Sequence, residues 1–277
     1  MIGARFRFKR PETLEEALDL LAGAGGLGRV IGGGSVLVPA LVAGQDAPAL
    51  VVDIGRLGLG SVREEGSDVV IGAAATYATL LASEVVRRRL PLLAAMLREV
   101  TGGPGLWNLA TPGGAACYAN PASDVPGCLV ALGAAFRLAS RRGERLVAAE
   151  NFFRGAFETE RLPDEMLTAL VLPAPEPGRH AYYKLKHAGS SWPIVTASCL
   201  SINGGIRLCL GGAAPVPLLL DWPTPSTTEA VAAMAEQAQA AIATEWTDEL
   251  AGPGYRRAVV PVVAARAIRA VLEERTS

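Results

Sequence analysis

Three consecutive glycines, Gly32-Gly33-Gly34, stand between the short stretch Arg29-Val30-Ile31 and the segment Ser35 to Leu41. Arg29 to Ile31 reads as a strand that runs into a glycine turn, and Val36 to Leu41 reads as a helix after it. Val51-Val52-Asp53-Ile54 reads as a second strand. The pattern is β-loop-α-β with the glycines at a strand end, where open α/β sheets bind ligands. Successive peptide N–H groups with no Cβ in the way form a concave donor surface suited to phosphate oxygens. Glycine runs also serve as plain turns, and local chemistry leaves both readings open.

A second glycine turn, Thr111-Pro112-Gly113-Gly114-Ala115, offers the same kind of surface. Two such turns suggest a ligand with two phosphates, or a long ligand held at two points. Gly23-Ala24-Gly25-Gly26-Leu27-Gly28 matches G-x-G-x-x-G by letter, but it follows a helix and leads into a strand, the reverse of a dinucleotide fingerprint. It reads as a helix C-cap and loop.

The remaining chain alternates in type. Thr13-Leu14-Glu15-Glu16 is a capping box, and Leu14, Leu18 and Leu21 recur at helical spacing. Hairpins are expected from Ser61 to Gly72 across Gly66-Ser67 and over Arg142-Gly143. Helices are expected over Leu80 to Ser83, Leu92 to Val100 and Pro126 to Ala134. Pro173-Ala174-Pro175-Glu176-Pro177-Gly178 reads as a turn or linker, because three prolines cannot sit inside a central strand. Beyond it, Tyr182 to Lys186, Ile194 to Ile202 and Arg207 to Leu210 read as an antiparallel sheet, the last two joined by Asn203-Gly204-Gly205. Helices over Thr227 to Thr244 and Tyr255 to Glu274 close the chain, the latter with a stripe of Val259, Val262, Val263, Ile268 and Leu272. The fold class is α+β: two mixed α/β subdomains, about 1–55 and 56–175, then a smaller antiparallel sheet with helices over 176–277. No internal repeat is evident.

Composition narrows the function. The net charge of -1 and the lack of aromatics among basic clusters such as Arg87-Arg88-Arg89 argue against nucleic acid. No basic-then-apolar leader is seen, and no apolar run approaches the roughly 20 residues that cross a bilayer, so a cytoplasmic protein is expected. Cys117, Cys128, Cys199 and Cys209 lack C-x-x-C spacing and read as buried reduced thiols, not a metal site. His180 and His187 are the only histidines, no G-x-x-x-x-G-K-[ST] occurs, and no G-x-S-x-G occurs. P-loop, zinc-hydrolase and serine-hydrolase chemistry therefore have little support. His187, beside a lysine-bearing strand, reads as a surface residue.

Two segments carry a family resemblance. Arg29 to Leu41, with Gly-Gly-Gly-Ser-x-Leu-x-Pro, resembles the pyrophosphate loop of the FAD-binding subunit of the molybdenum hydroxylases, the group of aerobic carbon monoxide dehydrogenase and xanthine dehydrogenase. Asn108 to Pro126 resembles its second FAD motif, usually close to Asn-x-x-Thr-Ile-Gly-Gly-Asn and then Asp-Pro-x-x-Asp-x-Pro. The likeness extends from the Pro-x-Thr-x-x-Glu-Ala helix start within Met1 to Ala17, through Val51 to Ile54 and Tyr183-Lys184-Leu185-Lys186, to Gly211-Gly212-Ala213-Ala214-Pro215-Val216-Pro217 and Tyr255-Arg256-Arg257.

The resemblance implies a PCMH-type domain with noncovalent FAD between two subdomains. Ile31, Gly32, Gly33, Gly34, Ser35 and Val36 would hold the pyrophosphate, with Ser35 adding a hydroxyl. Thr111, Gly113, Gly114 and Ala115 would complete the site, Asp124 would accept from a ribityl or ribose hydroxyl, Leu167 would line the cofactor, and Lys184 would lie near the isoalloxazine. It implies no catalytic residue or metal ligand here. Molybdopterin and [2Fe–2S] clusters would sit on a large and a small partner subunit, in a dimer of heterotrimers, with electrons arriving from Fe–S centres and leaving from FAD to an external acceptor. The motif departs from the family text at Pro112, Ala115 and Asn120, at Trp107 where a basic residue is common, and at Ser190-Ser191-Trp192-Pro193. Each lost hydrogen bond would weaken FAD by about 1 kcal/mol. The alternative is a divergent stand-alone protein that uses the cleft as a small-molecule or catalytic pocket, possibly without FAD; a structural subunit with an empty cleft is the third reading.

Overall fold

The structure, a computed structural model, describes residues 2–3, 5–174 and 178–273. It is α+β and is built on three main sheets of different character. The first takes β1 (Arg7–Lys9), α1 (Leu14–Gly23), β2 (Gly28–Ile31), α2 (Leu37–Val42) and β3 (Leu50–Asp53). Both β1 and β2 pair with β3 in parallel, so β3 is central and all four of its residues are buried. Helix α1 starts where the capping box places it: Thr13 Oγ1 accepts from the Glu16 N–H, while the Glu16 carboxylate reaches back to the Glu12 N–H. Ala17, Leu18 and Leu21 bury its apolar face.

The second sheet is antiparallel throughout, in the order β4-β5-β10-β6-β7. Its elements are β4 (Val62–Glu65), β5 (Asp68–Gly72), α3 (Tyr77–Ala82), α4 (Glu84–Arg89), α5 (Pro91–Glu99), α6 (Gly103–Trp107), α7 (Pro112–Tyr118), α8 (Asp124–Ala131), β6 (Ala135–Ser140), β7 (Gly143–Ala148), α9 (Ala149–Phe152), β8 (Phe153–Gly155), β9 (Glu158–Thr159) and β10 (Met166–Pro173). Strands β8 and β9 form a separate two-stranded hairpin. Both expected hairpins are present, as β4–β5 and β6–β7. Helices α4, α6 and α9, the β8–β9 hairpin and the central strand β10 are not among the elements expected from sequence. Pro173 ends β10 opposite Asp68, where the strand stops and a missing N–H costs little. Residues 175–177 of the expected linker lie outside the described residues.

The third sheet is an antiparallel meander of β11 (His180–Lys186), β12 (Pro193–Ile202), β13 (Gly205–Gly211) and β14 (Leu218–Pro223), followed by α10 (Thr228–Ala240) and α11 (Tyr255–Leu272). Strand β14 adds to the three expected. The β12–β13 turn places Asn203 and Gly204 at positive φ, 52° and 73°, the conformation a tight hairpin demands. On α11 the buried face is Val260, Val263, Ala264, Ala267, Ile268 and Val271, while Val262 faces solvent. The expected stripe is therefore rotated, with alanines carrying part of the packing. Helix α8, buried along its whole length, lies between α5 and strands β12 and β13. Its Gly127 comes close enough to Gly211 that a Cβ there would meet the Gly211 nitrogen at 3.4 Å.

Candidate functional site

One cavity of about 850 Å³ opens between the first two sheets and the β11–β12 loop. It falls at the upper end of the range for small-molecule sites, about 300–1,000 Å³. Both glycine motifs line it, together with Tyr77, Leu106, Asp124, Phe157, Arg161, Leu167 and residues 189–193.

The first motif forms the β2–α2 loop. Gly34 has φ of +68°, which glycine adopts without a Cβ penalty. A Cβ at Gly33 would land on the carbonyl oxygen of Leu109, so this glycine lets the loop close against the second lobe. At Gly32 a Cβ would meet nothing nearer than Thr111 Oγ1 at 3.7 Å. Among the described residues, the backbone N–H groups of Gly32, Gly33, Gly34 and Ser35 and the Ser35 hydroxyl make no hydrogen bond. Unpaired backbone donors at a cavity wall need an acceptor from water or ligand.

The second motif is the opening of a helix where a turn was expected. Thr111 is the N-cap of α7, and its Oγ1 accepts from the Gly114 N–H at 2.9 Å. Gly113 is within the helix because it packs tightly on β5's continuation: a Cβ there would lie 2.6 Å from the Ala73 carbonyl oxygen. The Gly113 N–H makes no hydrogen bond among the described residues. Two separated motifs thus line one space, and each carries backbone donors without a partner among the described residues. That chemistry fits the oxygens of a diphosphate, and the apolar wall of Ile31, Val36, Leu106 and Leu167 fits the ring systems such a nucleotide carries.

Of the residues named from sequence, Ile31 to Val36, Thr111, Gly113, Gly114, Ala115, Asp124 and Leu167 all lie on the cavity wall. Lys184 is not among the lining residues. It stands behind Asp124, with Nζ 3.0 Å from Asp124 Oδ1 and a further bond to the Glu99 carbonyl. Tyr182 donates its hydroxyl to the same Oδ1 at 2.5 Å. Burial pushes the Asp124 carboxyl above its usual range against the pull of Lys184 and the Tyr182 hydrogen bond. Burial, with the Asp124 charge beside it, pushes the Tyr182 hydroxyl well up. The helix N-cap at this corner is Ser123, which accepts from the Val125 N–H.

The departures from the motif sort themselves by position. Ala115 is on the wall, and Pro112 is a buried first helical residue, a position that suits proline. Asn120 is off the wall, its Oδ1 accepting from the Ala122 N–H, and Trp107 is off it too, packed on the core with Nε1 donating to the Val100 carbonyl at 3.1 Å. Arg161, the Tyr118–Phe157 ring pair and Trp192 were not singled out from sequence as wall residues. Phe157 is half exposed with φ of +60°, pinned by its N–H to the Ala119 carbonyl, and its ring lies 5.2 Å from Tyr118. No local pattern marks such residues; only the fold brings them to the cavity. The four cysteines are free thiols, Cys117 half-buried and the others buried, and no metal-ligating cluster occurs among the described residues.

The chain matches a family described as the FAD binding domain in molybdopterin dehydrogenase over residues 4–175. It is 35% identical over 211 residues to the carbon monoxide dehydrogenase medium chain of Afipia carboxidovorans, covering 74% of this chain and 72% of that one. With the glyceraldehyde dehydrogenase medium chain of Sulfolobus acidocaldarius it shares 33% identity, over 76% of this chain and 77% of the other. Its structure superposes on a chain of carbon monoxide dehydrogenase from Hydrogenophaga pseudoflava with a TM-score of 0.92 and 32% identity, covering 98% of this chain and 99% of that chain. With a family match across more than half its length, and a cavity where both glycine motifs meet, the chain belongs to the family of FAD-binding domains of molybdopterin dehydrogenases.

Proposed function

We propose that this chain is the FAD-binding, electron-transfer subunit of a heteromeric molybdenum-containing oxidoreductase. The observation that carries the reading is the set of unpaired N–H donors from two separate motifs that face one cavity. Gly32 to Ser35 and Gly113 would hold the diphosphate, Asp124 would accept from a sugar or ribityl hydroxyl, and Leu167 would pack on a ring. Lys184 acts on the cofactor through Asp124, by holding that carboxylate in place. FAD, when bound, supplies a centre that exchanges electrons singly or in pairs. The apolar wall excludes water from it, and the residues 189–193 loop covers one side.

On this reading, residues 1–175 form the FAD-binding unit, divided near residue 55, and 176–277 form a C-terminal domain. The names medium chain and FAD-binding subunit among the relatives support a place beside a large molybdopterin subunit and a small [2Fe–2S] subunit, in a dimer of heterotrimers. No helix among the described residues is long and apolar enough to cross a membrane, and the assembly would reside in the cytoplasm. The test is spectroscopic. Purified protein, or apoprotein given FAD, should show flavin absorbance bands and release FAD on heating. Protein that stays colourless in excess FAD would sink the proposal and favour a stand-alone protein with another ligand.

A further inference from the structure

Five charged residues line the cavity: Arg29, Asp46, Asp124, Arg161 and Glu165. Arg29 pairs with Asp46 through two contacts of 2.8 and 3.2 Å. Asp124 pairs with Lys184, and Glu165 with Arg145 through contacts of 2.6 and 2.8 Å. Arg161 alone is left over. Four carboxylates stand near it in sequence: Glu160 pairs with Arg154, Asp164 with Arg142 and Glu165 with Arg145, while Glu158 makes no ion pair with Arg161 among the described residues. Arg161 instead donates Nη1 to the Leu162 and Glu165 carbonyls, at 3.1 and 2.8 Å, and has no ion pair among the described residues. Backbone thus fixes its position, and although its charge is felt by the Asp164 carboxyl, no carboxylate pairs with it among the described residues.

We propose that Arg161 is the residue that makes this site select a diphosphate-bearing ligand over a neutral one, a role that rests on the FAD reading above. Backbone N–H groups orient phosphate oxygens but bring no net charge. In a mostly apolar cavity a guanidinium without an ion pair attracts a dianion far more strongly than it would in water. Its field reaches α7: burial pushes the Cys117 thiol up, and the Arg161 charge pulls against that rise. The loop Glu160-Arg161-Leu162 gives no hint of this from sequence, where an arginine among acids reads as a surface ion pair.

The test compares apoprotein of the wild type with R161Q and R161K, each titrated with FAD, riboflavin, ADP and adenosine at low and high KCl. Gln keeps an amide donor for the two carbonyls and loses the charge, whereas Lys keeps the charge; thermal melts check that each variant folds. R161Q should bind FAD and ADP about tenfold more weakly at low salt, roughly the value of one charged contact. Riboflavin and adenosine should change less than twofold, R161K should stay near wild type, and the salt dependence of FAD binding should flatten in R161Q. Equal losses for charged and neutral ligands, or none, would overturn the assignment and leave Arg161 as a packing residue. Wild-type protein that binds ADP in an Arg161-dependent way but no flavin would uphold the charge selection and overturn the flavin reading. Binding of neither overturns both.

Discussion

Lys184 Nζ lies 3.0 Å from Asp124 Oδ1, and the two side chains are 4% and 6% exposed. The ion pair joins β11 of the C-terminal sheet to the first turn of α8, at the wall of the cavity. A contact between the third sheet and α8 thus backs the cavity wall, and a cation behind the wall opposes the effect of burial on a carboxylate that lines it.

Removing one partner of such a pair leaves a buried charge without compensation, at about 3–5 kcal/mol. Lys184→Met should therefore destabilise strongly at neutral pH, and adding Asp124→Asn should recover much of the loss. Burial already holds the Asp124 carboxyl above its usual range, so its ionisation in the folded state works against folding as pH rises. Without Lys184 that pKa rises further. The Lys184→Met penalty should be small while Asp124 is protonated in both folded proteins and grow once the pH climbs past the wild-type folded value, which lies above the unfolded carboxylate pKa of about 3.9. Urea unfolding of the four proteins of the cycle from pH 4 to 8 reads both effects; a pH-independent penalty would mean that the pair contributes packing alone.

The glycine loop separates two roles by position. A Cβ at Gly33 would strike the Leu109 carbonyl, so Gly33→Ala should force the β2–α2 loop off the second lobe, lowering both the melting temperature and FAD affinity. A Cβ at Gly32 has 3.7 Å of clearance from Thr111 Oγ1, so Gly32→Ala should melt like wild type. Any loss of FAD by that variant then reports the space next to the diphosphate. Calorimetry paired with FAD titration distinguishes them, and wild-type FAD binding by both variants would remove this loop from the site.

What the sequence disclosed and what it hid follow from range. Thr13, the Gly32 to Gly34 run, the hairpin at Asn203-Gly204 and the Val51 to Ile54 strand are local decisions, made by capping, backbone freedom and short-range pattern. Gly113-Gly114 read as a turn because two glycines disfavour a helix; the close approach to Ala73, invisible in the local text, requires Gly113 there. Met166 to Pro173 is a central strand whose alternation is erased by burial on both faces, and its terminal proline reads as linker. Lys184 is expected at the cofactor but stands off the cavity wall, and its place behind Asp124 depends on a contact 60 residues away in the chain. Arg161 depends on how Glu160, Asp164 and Glu165 choose their partners.

Position also ranks the departures from the second FAD motif. Ala115 faces the cavity, so Ala115→Asn returns a hydrogen-bonding side chain to it and should tighten FAD by about 1 kcal/mol, near fivefold. Asn120 is off the wall and its Oδ1 already holds the Ala122 N–H, a bond that Asp can also accept. Asn120→Asp should leave FAD affinity within twofold. Flavin occupancy of the two single variants, measured by absorbance after dialysis against limiting FAD, checks the order; a larger gain from Asn120→Asp would place residue 120 nearer the ligand than its turn allows.

The C-terminal sheet and helices carry their own pH-sensitive clamp. Arg256, fully buried at the start of α11, donates Nη2 to Asp248 Oδ1 at 2.6 Å and Nη1 to the carbonyls of Gly212 and Ile194. Burial acts to raise the Asp248 carboxyl, but the Arg256 hydrogen bond and charge, with the N–H groups of Leu250 and Ala251, outweigh it and hold the pKa below its usual value. A carboxyl depressed in the folded state contributes stability above the unfolded pKa of about 3.9 and loses it as pH falls through the folded value. Asp248→Asn should therefore cost about 2–3 kcal/mol at pH 7, less than a fully enclosed pair because 23% of the Asp248 side chain is exposed. The gap to wild type should narrow as pH drops from 5 toward 2. The Arg256 guanidinium stays charged throughout, so the narrowing isolates the carboxylate. Urea unfolding at pH 7, 5 and 3 follows it, and a gap that stays constant across that range would show that Asp248 acts through its backbone-capping bonds to Leu250 and Ala251 instead of through its charge.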